Sequence, residues 1–256
     1  MAQRPCAVFK GRATNATQMF KTDGLNALTY GIFDAGVGIA TGVVGYPVTK
    51  IIENLKPIWI STANEKVGLD LALGASASGT PSVFVAKHVG LGVAADSLIT
   101  AATHGVGAGL VVIAGDDPGA KLSQNEQDSR YYGKLAEIPV MEPHSASNAY
   151  DCALRAFELS RDLSVPTIVR VTNKLLNTEG TIERVLSEPP PGKSIEKSIW
   201  DLTHLGRHQH LIKYKYPKML EFAETTELNE ETGTGVIGIV SAGCASTVVD
   251  DAIDGR

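Results

Sequence analysis

Short apolar runs alternate along the chain with stretches of helical spacing, and this alternation sets the expected architecture. Residues 38–44, 57–61, 82–86, 110–114 and 166–171 read as strands. Gly109-Leu-Val-Val-Ile-Ala114 carries no polar alternation, the texture of a strand covered on both faces. Helical spacing marks residues 27–35, with Leu28, Ile32 and Phe33 as an apolar stripe, then 48–55, 66–78, 90–104 and 146–161. Ser145 stands where the last of these needs an N-cap. The pattern predicts an α/β fold, a doubly wound and mainly parallel sheet. Ala, Ser and Gly crowd residues 71–79, so that helix can lie close to the sheet or to another subunit.

The texture changes near Asn173. Residues 173–234 contain Pro189-Pro190-Pro191 and many charges, and read as a peripheral connector. Residues 235–241 are apolar and strand-like, and Ala242-Gly243-Cys244-Ala245-Ser246 follows as a turn. The expected layout is a domain over 1–172, a connector over 173–234, and the incomplete start of a second α/β unit over 235–256. One strand and one short helix cannot bury a core of their own. The expectation is therefore a fragment, or a piece that completes a domain on a partner.

Composition narrows the function classes. The chain has 256 residues, 43% hydrophobic and 20% charged, ordinary for a soluble globular protein. Its net charge of -5 offers no basic patch for nucleic acid. No apolar run reaches the roughly 18 residues that a membrane span requires. Arg4, Lys10, Arg12 and Lys21 precede the first acid, Asp23, without the apolar core of a secretory signal. The segment reads as an irregular arm or added strand of a cytoplasmic protein rather than as a transit peptide. Cys6, Cys152 and Cys244 form no CxxC pair, so this stretch is not expected to hold an iron–sulfur cluster by itself. Buried thiols in a reducing cytoplasm are expected instead. His204 and His208 are four apart and could share a helix face with His210 nearby, but no Cys or carboxylate stands at ligand spacing. An exposed connector explains them better than a metal site.

Three polar segments follow predicted strands: Asn64-Glu65-Lys66, Lys87-His88-Val89-Gly90-Leu91, and Asp116-Asp117-Pro118-Gly119 continuing into residues 123–132. Open α/β sheets bind ligands at such carboxyl ends. Taken in order, ANEKV (63–67), KHVGLGVAAD (87–96) and DDPG…SQNEQDSRYYGKLAEIPVMEP (116–143) resemble the pyrimidine-binding domain of 2-oxoacid:ferredoxin oxidoreductases, closest to the α subunits of the indolepyruvate type. The resemblance runs from about residue 23 to about residue 171.

That family uses thiamine diphosphate, and the resemblance implies a role for Glu65. The cofactor's reactive carbon is deprotonated by its own aminopyrimidine, and a carboxylate on the far ring nitrogen favours the tautomer that does this. An apolar crevice helps such a carboxylate share a proton, because burial disfavours the bare anion. By its position alone Glu65 also reads as a first-turn helix acid behind an Asn64 cap. Tyr46-Pro47-Val48-Thr49 resembles the family's YPIT motif, whose threonine binds the substrate carboxylate. Here Lys50-Ile51-Ile52 replaces the usual Pro-Ser-Ser, and Thr49 reads equally as the first turn of a helix. Lys87, His88 and Gly90 are implied to lie beside cofactor and substrate, with a structural histidine as the alternative for His88. Gln124, Asn125, Gln127 and Arg130 are candidates to hold substrate or a facing subunit. The fork of Arg130 suits a carboxylate ligand, or an internal pair with Asp128 or Glu126. Pyruvate-specific relatives carry an arginine near Asp116-Asp117, so the acids here fit an arylpyruvate.

The implied activity is oxidative decarboxylation of an arylpyruvate such as indolepyruvate to an acyl-CoA, with electrons passed to ferredoxin. The family's diphosphate grip uses Mg²⁺, a GDG motif and a later Asn. Gly115-Asp116-Asp117 does not match it, since Pro118 follows and Asn125 comes too soon. Mg²⁺ and iron–sulfur clusters are therefore expected on diphosphate-binding and cluster-binding partners in a hetero-oligomer with a composite active site. Two other readings stand beside this one: a split-subunit non-oxidative 2-oxoacid decarboxylase, and a non-catalytic scaffold that keeps the fold.

Overall fold

The computed structural model describes residues 16–186 and 188–254. Its strands are β1 Ala16–Asp23, β2 Ile39–Gly42, β3 Trp59–Ser61, β4 Ser82–Lys87, β5 Leu110–Asp116, β6 Val140–Met141, β7 Thr167–Thr172 and β8 Glu179–Leu186. Six form one parallel sheet in the order β3-β2-β4-β5-β7-β6, and β1 pairs with β8 as a separate antiparallel ribbon.

Side chains of the central strands alternate between two cores. Val83, Val85, Val111, Ile113 and Val169 face helices Gly24–Asp34, Thr49–Asn54 and Ala146–Leu163. Phe84, Ala86, Leu110, Val112 and Ile168 face helices Glu65–Ala77, His88–Val93, Ala95–His104 and Arg130–Ala136. Both faces are covered, which is why these strands read as unbroken apolar runs. Each fully buried Leu, Ile or Phe contributes roughly 1.5–3 kcal/mol. The doubly wound expectation holds.

Three differences from expectation have clear causes. A single helix over 90–104 is instead two, starting at His88 and dividing at Ala94, where Gly90 and Gly92 weaken the first piece. The connector is less peripheral than its composition suggested. Leu175, Leu176 and Ile182 enter the first core, while Leu211 and Met219 enter the second. Residues 235–241 form no strand, since no strand among the described residues lies beside them to pair their backbone. Val236 and Val240 are fully exposed there. The turn at Gly243, with φ of 56°, then opens helix Cys244–Ile253.

Cys152 is buried, which pushes its thiol up to about 12, and Cys244 is half-buried. Cys6 and the other residues of the expected N-terminal arm up to 15 lie outside the described residues, while residues 16–23 form β1. No helix among the described residues is long and apolar enough to cross a membrane.

The chain moves outward from β2 to β3, then returns past β2 to β4 and continues to β5. The β2–β4 boundary is thus the point where winding reverses, the usual crevice of such sheets.

Candidate active site

Glu65 sits over that boundary. The loop from β3 is tied to the end of β2 by the Thr62 hydroxyl, which donates to the Gly42 carbonyl at 3.1 Å. The Asn64 side chain caps the next helix, accepting from Val67 N–H at 3.0 Å. One turn on, the Thr41 hydroxyl donates to the Gly68 carbonyl at 2.7 Å. These ties fix where the helix starts, so Glu65 in its first turn reaches across toward the helix after β4. A Cβ added to Gly90 would fall 2.7 Å from Glu65 Cγ and 2.8 Å from Cδ. Gly90 is therefore the space the carboxylate occupies. Glu65 is half-buried, and no hydrogen bond or ion pair engages its carboxylate among the described residues. Glu65 thus starts the helix, as its place behind Asn64 predicts.

The other candidates gather around the same edge with different commitments. Thr49 donates from both N–H and Oγ1 to the Gly45 carbonyl, at 2.9 and 3.0 Å, as a first helical turn does. The turn before it lies on β5, with Pro47 and Val48 filling the space over Gly115. Lys87 passes over Gly45 and donates to Gln124 Oε1 at 3.2 Å. Gln127 donates to the Asn125 side chain at 3.0 Å. His88 is fully buried. Its Nδ1 stands 3.3 Å from the Gly115 carbonyl and its Nε2 3.0 Å from the Asn125 carbonyl. Neither ring nitrogen is left to face a ligand directly.

Asp117 closes the turn that follows β5. Burial works to raise its pKa, but the Leu122 N–H at 2.8 Å and contacts from Ser123 and Lys121 hold it below the ordinary carboxylate value. Burial and Asp117 together push the Tyr46 phenol upward.

Beyond β5 the edge is a closed ionic network. Arg170, on β7, donates to Asp116 at 2.6 Å and to Glu142. Asp116 also accepts from the Ser129 N–H at 3.0 Å and hydroxyl at 2.5 Å. Arg130 forks onto Asp128 at 2.7–3.0 Å and stands 3.7 Å from Glu142. The internal pair with Asp128 is thus the alternative the structure adopts for Arg130, and Asp116 is turned into the fold rather than toward a ligand. Arg170 went unnoticed in the sequence, although a lone charge inside Thr-Ile-Val-Arg-Val-Thr was a signal. A buried strand arginine requires carboxylate partners. Helix Cys244–Ile253 docks on this side, with Gly243 packed on Glu142 and Lys174 donating to the Cys244 carbonyl at 3.4 Å.

The three connector histidines diverge. His204 accepts from Arg207 at 2.8 Å, His208 donates to Glu137 at 3.0 Å, and His210 packs on Tyr214. Two grooves, of about 630 and 500 Å³, lie away from Glu65. One runs along helix Ala146–Leu163, and the other lies beside Lys215, which burial holds down to about 8.

No protein-family model matches the chain. It is 35% identical over 246 residues to indolepyruvate oxidoreductase subunit IorA of Methanothermobacter marburgensis, covering 90% of this chain and 40% of that protein. The IorA subunit of Archaeoglobus fulgidus is 31% identical over 252 residues, with the same coverage. The chain thus spans about 40% of the length of these relatives. A solved structure, 2-oxoglutarate:ferredoxin oxidoreductase from Magnetococcus marinus with 2-oxoglutarate, coenzyme A and succinyl-CoA bound, superposes with a TM-score of 0.69 at 14% identity, over 93% of this chain and 51% of that one. That likeness establishes the shared α/β architecture. The sequence identities make the chain, over the stretch it spans, a relative of IorA subunits, with the fold of a 2-oxoacid:ferredoxin oxidoreductase.

Proposed function

We propose that this chain supplies the pyrimidine-facing half of a composite thiamine diphosphate site in a cytoplasmic 2-oxoacid:ferredoxin oxidoreductase, acting with partner subunits. The observation that carries this reading is Glu65, a half-buried carboxylate without a partner, at the winding reversal, in space that Gly90 leaves open. These residues fit the far edge of an aminopyrimidine ring. When bound, thiamine diphosphate supplies its own base and the carbon that attacks a 2-oxoacid. Glu65 would hold a proton at the ring nitrogen that faces it. The loops at 45–49 and 117–129 would shape the space beside it, with the exposed amides of Gln124 and Asn125 toward substrate. Mg²⁺, the diphosphate grip and the clusters belong in this reading to partner subunits, as do coenzyme A and ferredoxin binding.

The substrate we propose is an arylpyruvate such as indolepyruvate. It is supported by the names of the sequence relatives. The test is Glu65→Gln in the assembled complex. The rate should fall by ~10²–10⁴-fold, the range of an acid–base contribution. A complex that tolerates the change uses this chain as scaffold.

A further inference from the structure

Residues 117–129 leave β5 and return to helix Arg130–Ala136, and four contacts of different kinds hold them down. At the base, Asp116 accepts from Ser129 twice. Asp117 closes a turn by accepting from Leu122 N–H at 2.8 Å, supported by Ala120 N–H donating to the Asp117 carbonyl at 2.8 Å. At the far end Lys87 donates to Gln124. In the middle is His88, wholly buried, between the Gly115 carbonyl of β5 and the Asn125 carbonyl of the loop. His88 is thus a strut between the end of one strand and the crest of the loop. Asp117, whose carboxylate closes the turn, is also within electrostatic reach of Tyr46 in the neighbouring 45–49 turn.

We infer that His88 and Asp117 are positioning residues, and that the loop they hold is a fixed shelf beside Glu65 rather than a lid. Neither residue touches the reacting atoms. They act by setting where Gln124, Asn125 and Gln127 stand. The inference rests on the proposed function only for what the shelf serves. The strut itself is a property of the fold.

The experiment compares His88→Phe and His88→Gln in the assembled complex. Phenylalanine fills the space without a donor. Glutamine keeps an N–H close to the Nε2 position. Hydrogen exchange of the Leu122 and Ser129 amides should quicken about tenfold or more in His88→Phe, because the Asn125 carbonyl loses its partner. Exchange in helix Ala146–Leu163 should stay as in wild type, which shows that the variant is folded. KM for the 2-oxoacid should rise about tenfold while kcat changes less, and His88→Gln should restore both readouts. Asp117→Ala, which removes the acceptor of the Leu122 N–H, provides a second route, with the same two amides exchanging faster. Unchanged loop exchange in His88→Phe and Asp117→Ala would overturn the inference. So would a His88→Gln enzyme as impaired as His88→Phe with the loop still protected, since that places His88 on the ligand itself. If the complex shows no thiamine-dependent activity at all, the proposed function fails while the loop exchange still tests the strut.

Discussion

The two halves of the strand-end surface handle charge in opposite ways. Around β2 and β4 the chain presents glycines at 42, 45, 68 and 90 and the Glu65 carboxylate, which has no partner among the described residues. Around β5, β7 and β6 it gathers Asp116, Asp128, Glu142, Arg130 and Arg170 into a network that uses nearly all its polar atoms. A partnered charge in a fold is explained by the fold. An unpartnered, half-covered one raises the question of what it is for. Residue type alone does not separate the two groups, since both are built from acids at strand ends. What separates them is whether the chain provides the counter-charge.

The sharpest break between the halves is Arg170→Met. Removing it leaves Asp116 and Glu142 without their arginine, and breaking a buried pair in this way costs ~3–5 kcal/mol. Urea denaturation should show that loss, whereas Glu65→Gln should stay within ~0.5 kcal/mol of wild type, as a change outside any internal network does. A similar loss in both would erase the distinction.

Gly90→Ala comes next. The new methyl collides with the Glu65 carboxyl, and overpacking of this kind costs ~1–3 kcal/mol. Rate in the assembled complex should drop roughly tenfold or more although Glu65 is still present, because an ångström of misplacement suffices. Full activity in Gly90→Ala would show that the carboxylate's place is unimportant.

Acid titration probes the β5 side. Arg130 foremost holds Asp128 below the ordinary 3.8. For Asp117, burial opposes the shift, but the Leu122 N–H and other loop contacts prevail. A depressed folded pKa stabilises fully above the unfolded value, and that contribution is lost as pH falls through the folded one. Thermal melts should therefore lose stability below the ordinary 3.8, and Asp117→Asn with Asp128→Asn should flatten the decline. An unaltered slope in the double variant would remove these two acids from the account.

Arg130→Gln should have the smallest effect. Its side chain is 52% exposed, so its pairs are screened and the cost should be about 1 kcal/mol or less. A loss as large as that of Arg170→Met would make the network one indivisible unit.

Much of this was legible in the residues, for reasons specific to each element. The strands β4, β5 and β7 declared themselves because burial on both faces leaves only apolar side chains. β1 read only as an irregular arm or added strand and β8 not at all, since they form an outlying ribbon of mostly polar residues, with Ile182 alone fully buried on β8. β6 has two residues, too few for any period to register. Glu65 stood out only through its motif, because an acid behind an Asn cap is an ordinary helix start. The Arg170 network was hidden by distance along the chain, with Asp116 and Arg170 54 residues apart. Residues 235–241 show the converse. Their pattern spells a strand, but a strand is a relation between segments, and no described strand lies beside this one.

That last stretch has a practical consequence. Val236, Ile237, Ile239 and Val240 are all turned to water beside an unpaired main chain. Such a surface is sticky toward copies of itself. When purified without companions, this polypeptide should sediment heavier as its concentration rises, and lysines at 237 and 239 should keep it monodisperse.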